Sequence, residues 1–170
     1  MILKKSFFRR DTRIVARELL GKFLVRKAGK RERAFMITET EAYDGFTDKA
    51  SHAHRGKTPR NEVMFGTAGN WYIYFVYGVH HMLNIVTDEK EYPAAVLIRS
   101  VLGIVGPGRV TKHLGIDRSL NTKPADKESG LWIENKGVVI PKARIQKTPR
   151  VGVAYAGKVW SKKPYRFIIK

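Results

Sequence analysis

The chain has no cysteine, which excludes disulfide bonds and thiolate metal ligands and fits a reducing, cytoplasmic location. Acidic side chains are scarce: 15 Asp and Glu stand against 33 Lys and Arg, and after Glu134 no acid remains while ten bases follow. No internal repeat, low-complexity tract or linker interrupts residues 1–170, so one domain is expected. The opening "MILKKSFFRRDTR" lacks an apolar stretch long enough for a secretory signal. The longest run without charge, Val63 to Thr87, has the length of a membrane span. Its three glycines, two asparagines, two histidines and strand-spaced aromatics instead predict a central piece of sheet.

What is present is an ordinary globular composition, 43% hydrophobic and 11% aromatic, in a length sufficient for a core without metal or disulfide staples. The formal net charge of +18 is the strongest compositional signal. A folded domain so lopsided repels itself unless a polyanion relieves it, and nucleic acid is the expected partner. A basic surface with no such partner is the plainer reading; a membrane surface has less support, because no basic amphipathic helix stands out.

Turn and cap signals order the rest. Asp11 is placed to cap a helix "TRIVARELL" with Ile14, Val15, Leu19 and Leu20 as its apolar face and Gly21 at its end. "KFLVRK" and "AFMITETEAY" read as strands joined by "AGKRER", and Thr58-Pro59 as the start of a short helix reaching Phe65. "WYIYFVYG" and "VHHMLNIVT" form a hairpin pivoting at Gly78; "AAVLIRSV" is a further strand, and "GPGRVTKHLG" a helix stopping at Gly115. Together they predict a single α+β domain: a curved, mainly antiparallel β-sheet flanked by a few helices, with a protruding β-hairpin.

Within "FMITETEAYDG" strand alternation places Glu39, Glu41 and Tyr43 on one face and Thr38, Thr40 and Ala42 on the other. Two glutamates on a strand are by default solvent-facing; next to an aromatic, at a strand end followed by a His- and Arg-rich loop, they also suit a general base beside a stacking surface. Tyr77 precedes the turn glycine, so it rides at the hairpin tip, where an aromatic suits a wedge entering a base stack. His52, His54, His80, His81 and His113 lack carboxylates at ligand spacing, and no metal or other cofactor is expected. "GPGR" lacks the Lys-Ser/Thr of a phosphate-binding P-loop; Arg109 and Lys112 could still meet a phosphate at that helix start.

The pieces "ARELLGK", "ETEAY", "DKASHAHRGKTPRN", "MFGTAGNWYIYFVYG" with "LNIV", "AAVLIRSV", "GPGR", "PRVGVAYAG" and "KPYRF", in this order, resemble the alkyladenine (3-methyladenine) DNA glycosylases of the single-domain vertebrate and bacterial type. The resemblance spans most of the chain. It implies an enzyme of base excision repair that flips alkylated purines, with hypoxanthine a further substrate, out of double-stranded DNA and hydrolyses the N-glycosidic bond. Carried over, Glu41 is the carboxylate that activates water, with Arg99 and the carbonyl of Val151 near that water. Tyr43, His52 and Tyr74 wall the base pocket, and the His52 backbone meets the base edge. Asn84 opposes the 2-amino group of guanine, Tyr77 intercalates in the duplex, and Glu39 is structural. The resemblance further implies a monomer with no lyase activity, since no lysine stands where an amine nucleophile would. The competing expectation is a non-catalytic nucleic-acid-binding module on the same scaffold.

Overall fold

The cap expected at Asp11 forms: its carboxylate accepts from the N–H groups of Arg13 and Ile14, satisfying donors that a helix start leaves free. In the computed structural model, which describes residues 1–170, a single turn α1 (Lys5–Phe8) precedes the capped helix α2 (Thr12–Glu18). The buried face of α2 is Thr12, Val15 and Ala16, continued by Leu19 and Leu20. Ile14 departs from expectation and is 41% exposed. It lies about 200° around the helix from Thr12 and Ala16, the pair that meets the sheet.

Nine strands make one sheet: β1 (Phe23–Ala28), β2 (Arg31–Asp44), β3 (Trp71–Val76), β4 (His80–Val86), β5 (Ala94–Val101), β6 (Ile104–Val105), β7 (Leu131–Glu134), β8 (Ile145–Thr148) and β9 (Arg166–Ile169). Every pairing is antiparallel, in the order β3-β4-β5-β2-β1-β7, with β6 on β5, β9 on β2 and β8 on β9. Helices α3 (Pro107–Leu114) and α4 (Gly157–Trp160) complete the α+β fold. The first is bounded as its sequence predicts, by Gly106 and by Gly115 in the left-handed conformation that closes helices.

The long strand β2 organises the site. Its first half pairs with β1 and its second half with β5 on one side and β9 on the other. Opposite β5 the register shifts around Glu39, an irregularity that bends and twists a strand. Thr40 and Ala42 face inward: the Thr40 hydroxyl donates to the Ala16 carbonyl at 2.8 Å, and Ala42 is fully buried. Their alternation partners Glu39, Glu41 and Tyr43 are thereby fixed on the opposite face.

The main core lies where α2 and α3 cover the sheet, with Trp71, Leu83, Ile85, Val96, Ile98, Val110 and Leu114 fully or almost fully buried. The charge-free run is accounted for by β3, β4 and a 3₁₀ turn at Glu62–Phe65; no helix of the protein is long and apolar enough to cross a membrane. That 3₁₀ turn starts later than Thr58-Pro59 suggested. Asn61 is the reason: its side chain accepts from the Thr58 N–H at 2.7 Å and donates to the carbonyls of His52 and Gly56. Such side-chain bonds compete with helix formation.

Candidate active site

Glu41 is fully buried, and each of its hydrogen-bonding contacts comes from a different direction. Tyr43, two residues along β2, donates its hydroxyl to Oε2 at 2.9 Å. Arg99, on the adjoining strand β5, brings Nη1 to 3.4 Å of Oε2. The Val151 N–H, from the segment after β8, donates to Oε1 at 2.8 Å. A carboxylate has about four acceptor positions; these three contacts leave one on Oε1. Burial pushes the Glu41 pKa up, opposed by Arg99, the Val151 N–H, Tyr43 and Arg150. The result is a carboxylate more basic than an ordinary glutamate yet held by donors, which is the condition a general base needs.

Above it is a cleft of about 180 Å³ whose walls include Tyr43, His52, Tyr72, Tyr74, Asn84, Arg99, Val151 and Tyr155. The rings of His52 and Tyr74 are 4.7 Å apart, and those of Tyr72 and Tyr74 5.2 Å. His52 Nδ1 shares a 3.1 Å hydrogen bond with the Tyr72 hydroxyl. The surrounding rings desolvate the imidazole and, with the charge of Arg60, pull its pKa down, favouring the neutral ring. Burial raises the Tyr72 hydroxyl to about 12 and the Tyr74 hydroxyl further still, so both phenols stay neutral. Asn84 is 2% exposed and locked: its Nδ2 donates to the carbonyls of Tyr72 at 3.1 Å and Met82 at 3.3 Å.

Tyr77 also borders the cleft but projects from it, 91% exposed at the tip between β3 and β4. Its φ of 54° and that of Gly78, 62°, are both left-handed. A tyrosine in that conformation costs roughly 1–3 kcal/mol and is found mainly where a site demands it.

Seven of the eight positions singled out from the sequence line one cleft, and the eighth, the buried Glu41, touches three of them, Tyr43, Arg99 and Val151. Val151 has its defined contact through its N–H, on Glu41, where the expectation concerned its carbonyl. Two residues that the sequence did not single out hold the arrangement. Asp48 and Arg150 form a fully buried, two-pronged ion pair, Nη2 to Oδ1 at 2.8 Å and Nη1 to Oδ2. Arg150 also donates to the Ala42 carbonyl and lies over the rings of Tyr43 and Tyr165. Asp48 in turn accepts from the N–H groups of Asp44 and Ala50. The pair pins the loop after β2 to the segment carrying Val151. In the sequence, Arg150 is one base among ten, and its partner is 102 residues away.

Comparison with known proteins identifies the family. The family described as Methylpurine-DNA glycosylase (MPG) matches residues 6–104 and 102–170. A protein of Myxococcus xanthus (strain DK1622) is 42% identical over 181 residues, which cover 99% of this chain and 90% of the relative. A Methanocella arvoryzae protein is 40% identical, covering 99% and 92%, and one from Sodalis glossinidius 41%, covering 98% and 95%. All three have 3-methyladenine DNA glycosylase as their assigned name. Matched over nearly its whole length, this chain belongs to the methylpurine-DNA glycosylase family and is, at that level, a DNA glycosylase: a hydrolase of N-glycosyl bonds that serves DNA repair.

Proposed function

We propose that the protein extrudes alkylated purines, and hypoxanthine, from double-stranded DNA into the Tyr43–His52–Tyr74 cleft and hydrolyses the N-glycosidic bond with water activated by Glu41. The observation that carries this reading is a buried, donor-held carboxylate directly behind an aromatic cleft. A base inside a duplex cannot be reached, so extrusion comes first, at a cost that a lesion or mispair lowers. Aromatic walls return part of that cost, at ~1–3 kcal/mol per stacked base. Alkylated purines such as 3-methyladenine are cationic, so electron-rich rings favour them, and the base departs neutral with the electron pair of the broken bond; hypoxanthine, neutral in DNA, departs with that pair as an anion and takes its proton from solvent. The sugar left behind is oxocarbenium-like. Water adds its oxygen to C1′ and loses its proton to Glu41, through the acceptor position of Oε1 that no protein group occupies. The charge of Arg99 favours the ionised carboxylate against the cost of burial. None of the residues lining the cleft is a lysine, which favours hydrolysis alone over a Schiff base and strand cleavage.

The test incubates the native protein with duplexes carrying hypoxanthine or a methylated purine and cleaves the abasic products with alkali. Strand breaks at the lesion are expected; binding with no product from any lesion would favour the non-catalytic module instead. The pH profile follows from the raised Glu41 value: single-turnover excision should fall on acidification through a midpoint above the ordinary 4.5.

Tyr77 and Asn84 take the remaining roles in this reading. An exposed ring on a strained tip suits insertion into the space that the flipped nucleotide leaves. Tyr77→Ala is expected to reduce the fluorescence of a flipped 2-aminopurine probe far more than it reduces affinity for undamaged duplex. Equal losses, at matched salt, would count against the wedge. Asn84, immobilised by two carbonyls, suits a filter against the 2-amino group of guanine. Asn84→Ser should therefore release normal guanine faster than the native protein does, and an unchanged guanine rate would remove Asn84 from that role.

A further inference from the structure

Glu39, the neighbour of Glu41 on the same face of β2, has no use in the mechanism, yet it is 8% exposed and engaged by three side chains. Its Oε1 accepts from Arg99 Nε at 3.1 Å and from Arg166 Nη1 at 3.1 Å, and its Oε2 accepts from the Ser100 hydroxyl at 2.5 Å. Ser100 is itself fixed, accepting from the Gly106 N–H at the start of α3, and Arg166 is tied to the Thr148 hydroxyl. Arg99 thus presents two edges to two carboxylates: Nε to Glu39, and Nη1 to Glu41 at 3.4 Å. The register shift of β2 against β5 falls at Glu39, between these contacts.

We infer that Glu39 is the positioning residue of the site, an anchor that orients the Arg99 guanidinium so that its far edge stays on Glu41. The inference deepens the proposed role of Glu41 and rests on that reading. The physical need is clear from the charges present. Arg99 and Arg166 are two guanidinium groups drawn to one oxygen of Glu39. Without an acceptor between them they repel, and Arg99, 14% exposed in its side chain, has solvent to turn toward. Glu41 would then lose the charge that most favours its ionised form, retaining the Val151 N–H and the Tyr43 hydroxyl.

Anchor and charge make opposite predictions, which allows a test. The charged and titratable groups facing Glu41 are Arg99 from β5, Tyr43 and Glu39 from β2, Tyr74 from β3, and Tyr155 and Arg150, the latter paired with Asp48, from the loops. Glu39→Gln keeps an oxygen for Arg99 and Arg166 but removes a negative charge, so the Glu41 carboxyl should titrate lower. Glu39→Ala removes the anchor as well, so Arg99 leaves and Glu41 should titrate higher. Removing the Glu39 charge, which makes no direct contact with Glu41, should lower the titration by less than about one pH unit, whereas losing Arg99 from 3.4 Å should raise it by about one to three, so the rise in Glu39→Ala is the difference of the two. The readout is the ¹³C shift of the Glu41 side-chain carboxyl in labelled protein, assigned by its disappearance in Glu41→Gln. It does not depend on excision, so it remains informative whatever the lesion assays give. In kinetics the acid limb of the single-turnover rate should move in the same two directions, with duplex affinity unchanged. Downward shifts of equal size in both variants would mean that Arg99 needs no anchor, and the inference would fall. No shift in either, with loss of thermal stability alone, would reduce Glu39 to a structural role. In the Arg99→Ala background, Glu39→Ala should lower the Glu41 titration instead of raising it; a rise there would also overturn the inference.

Discussion

Glu41→Gln is expected to lower single-turnover excision by about 10²–10⁴-fold, the usual contribution of a positioned general base, while binding to lesion duplex persists. The variant keeps the shape of the side chain, and its amide oxygen can still accept from the Val151 N–H. What it loses is the capacity to take a proton from water. The same substitution should raise the unfolding temperature. Burial holds the folded carboxyl above its ordinary value in spite of Arg99, the Val151 N–H and Tyr43. Above that folded midpoint the ionised side chain costs folding stability, because the unfolded chain ionises it in water without such a cost. The cost fades as pH falls through the folded midpoint, so the gap between variant and native protein should narrow on acidification. Stability gained with activity lost is the signature of a group kept for function. Native-rate excision by the variant, alkali-revealed and lesion-dependent, would sink the role of Glu41.

Asp48→Asn should have the largest effect on stability, about 3–5 kcal/mol, because it leaves Arg150 charged and buried without its counter-ion. For a chain of this length that corresponds to an unfolding temperature lower by roughly 10 °C or more. In the native protein the hydrogen bonds and charge of Asp48 more than offset the burial that lowers the Arg150 pKa; the variant loses that support, but a guanidinium stays ionised in proteins, so Arg150 cannot escape the cost by losing its proton. Asparagine could keep one of the two prongs and one of the two loop bonds from Asp44 and Ala50. Because Arg150 precedes Val151, the donor on Glu41 should also lose its fixed position, and excision measured well below the unfolding temperature should slow. A loss under about 1 kcal/mol would mean that the pair is not the clamp described here.

These effects explain what could be read in advance. The period of β2 was legible because alternation depends only on neighbouring residues, and Glu39, Glu41 and Tyr43 do share a face. The helix bounds at Asp11 and Gly115 were legible for the same local reason: caps act within a few residues. Ile14 was misplaced because apolarity alone does not say which side of a short helix meets the sheet. The helix at Thr58-Pro59 was misplaced because Asn61 spends its side chain on the backbone of a loop up to nine residues away.

The sequence by itself determined the elements, the charge that favours a polyanion, and the residue types of the cleft, which its motifs and their order brought together. Only the tertiary structure decided how those residues act on one another. Nothing local tells that Glu41 meets a backbone N–H 110 residues on, or that Arg99 divides its edges between two carboxylates. Whether a glutamate is decoration, anchor or base depends on its burial and on the donors that reach it. Both are properties of strands and loops distant in the chain that the antiparallel sheet and the Asp48–Arg150 pair bring together.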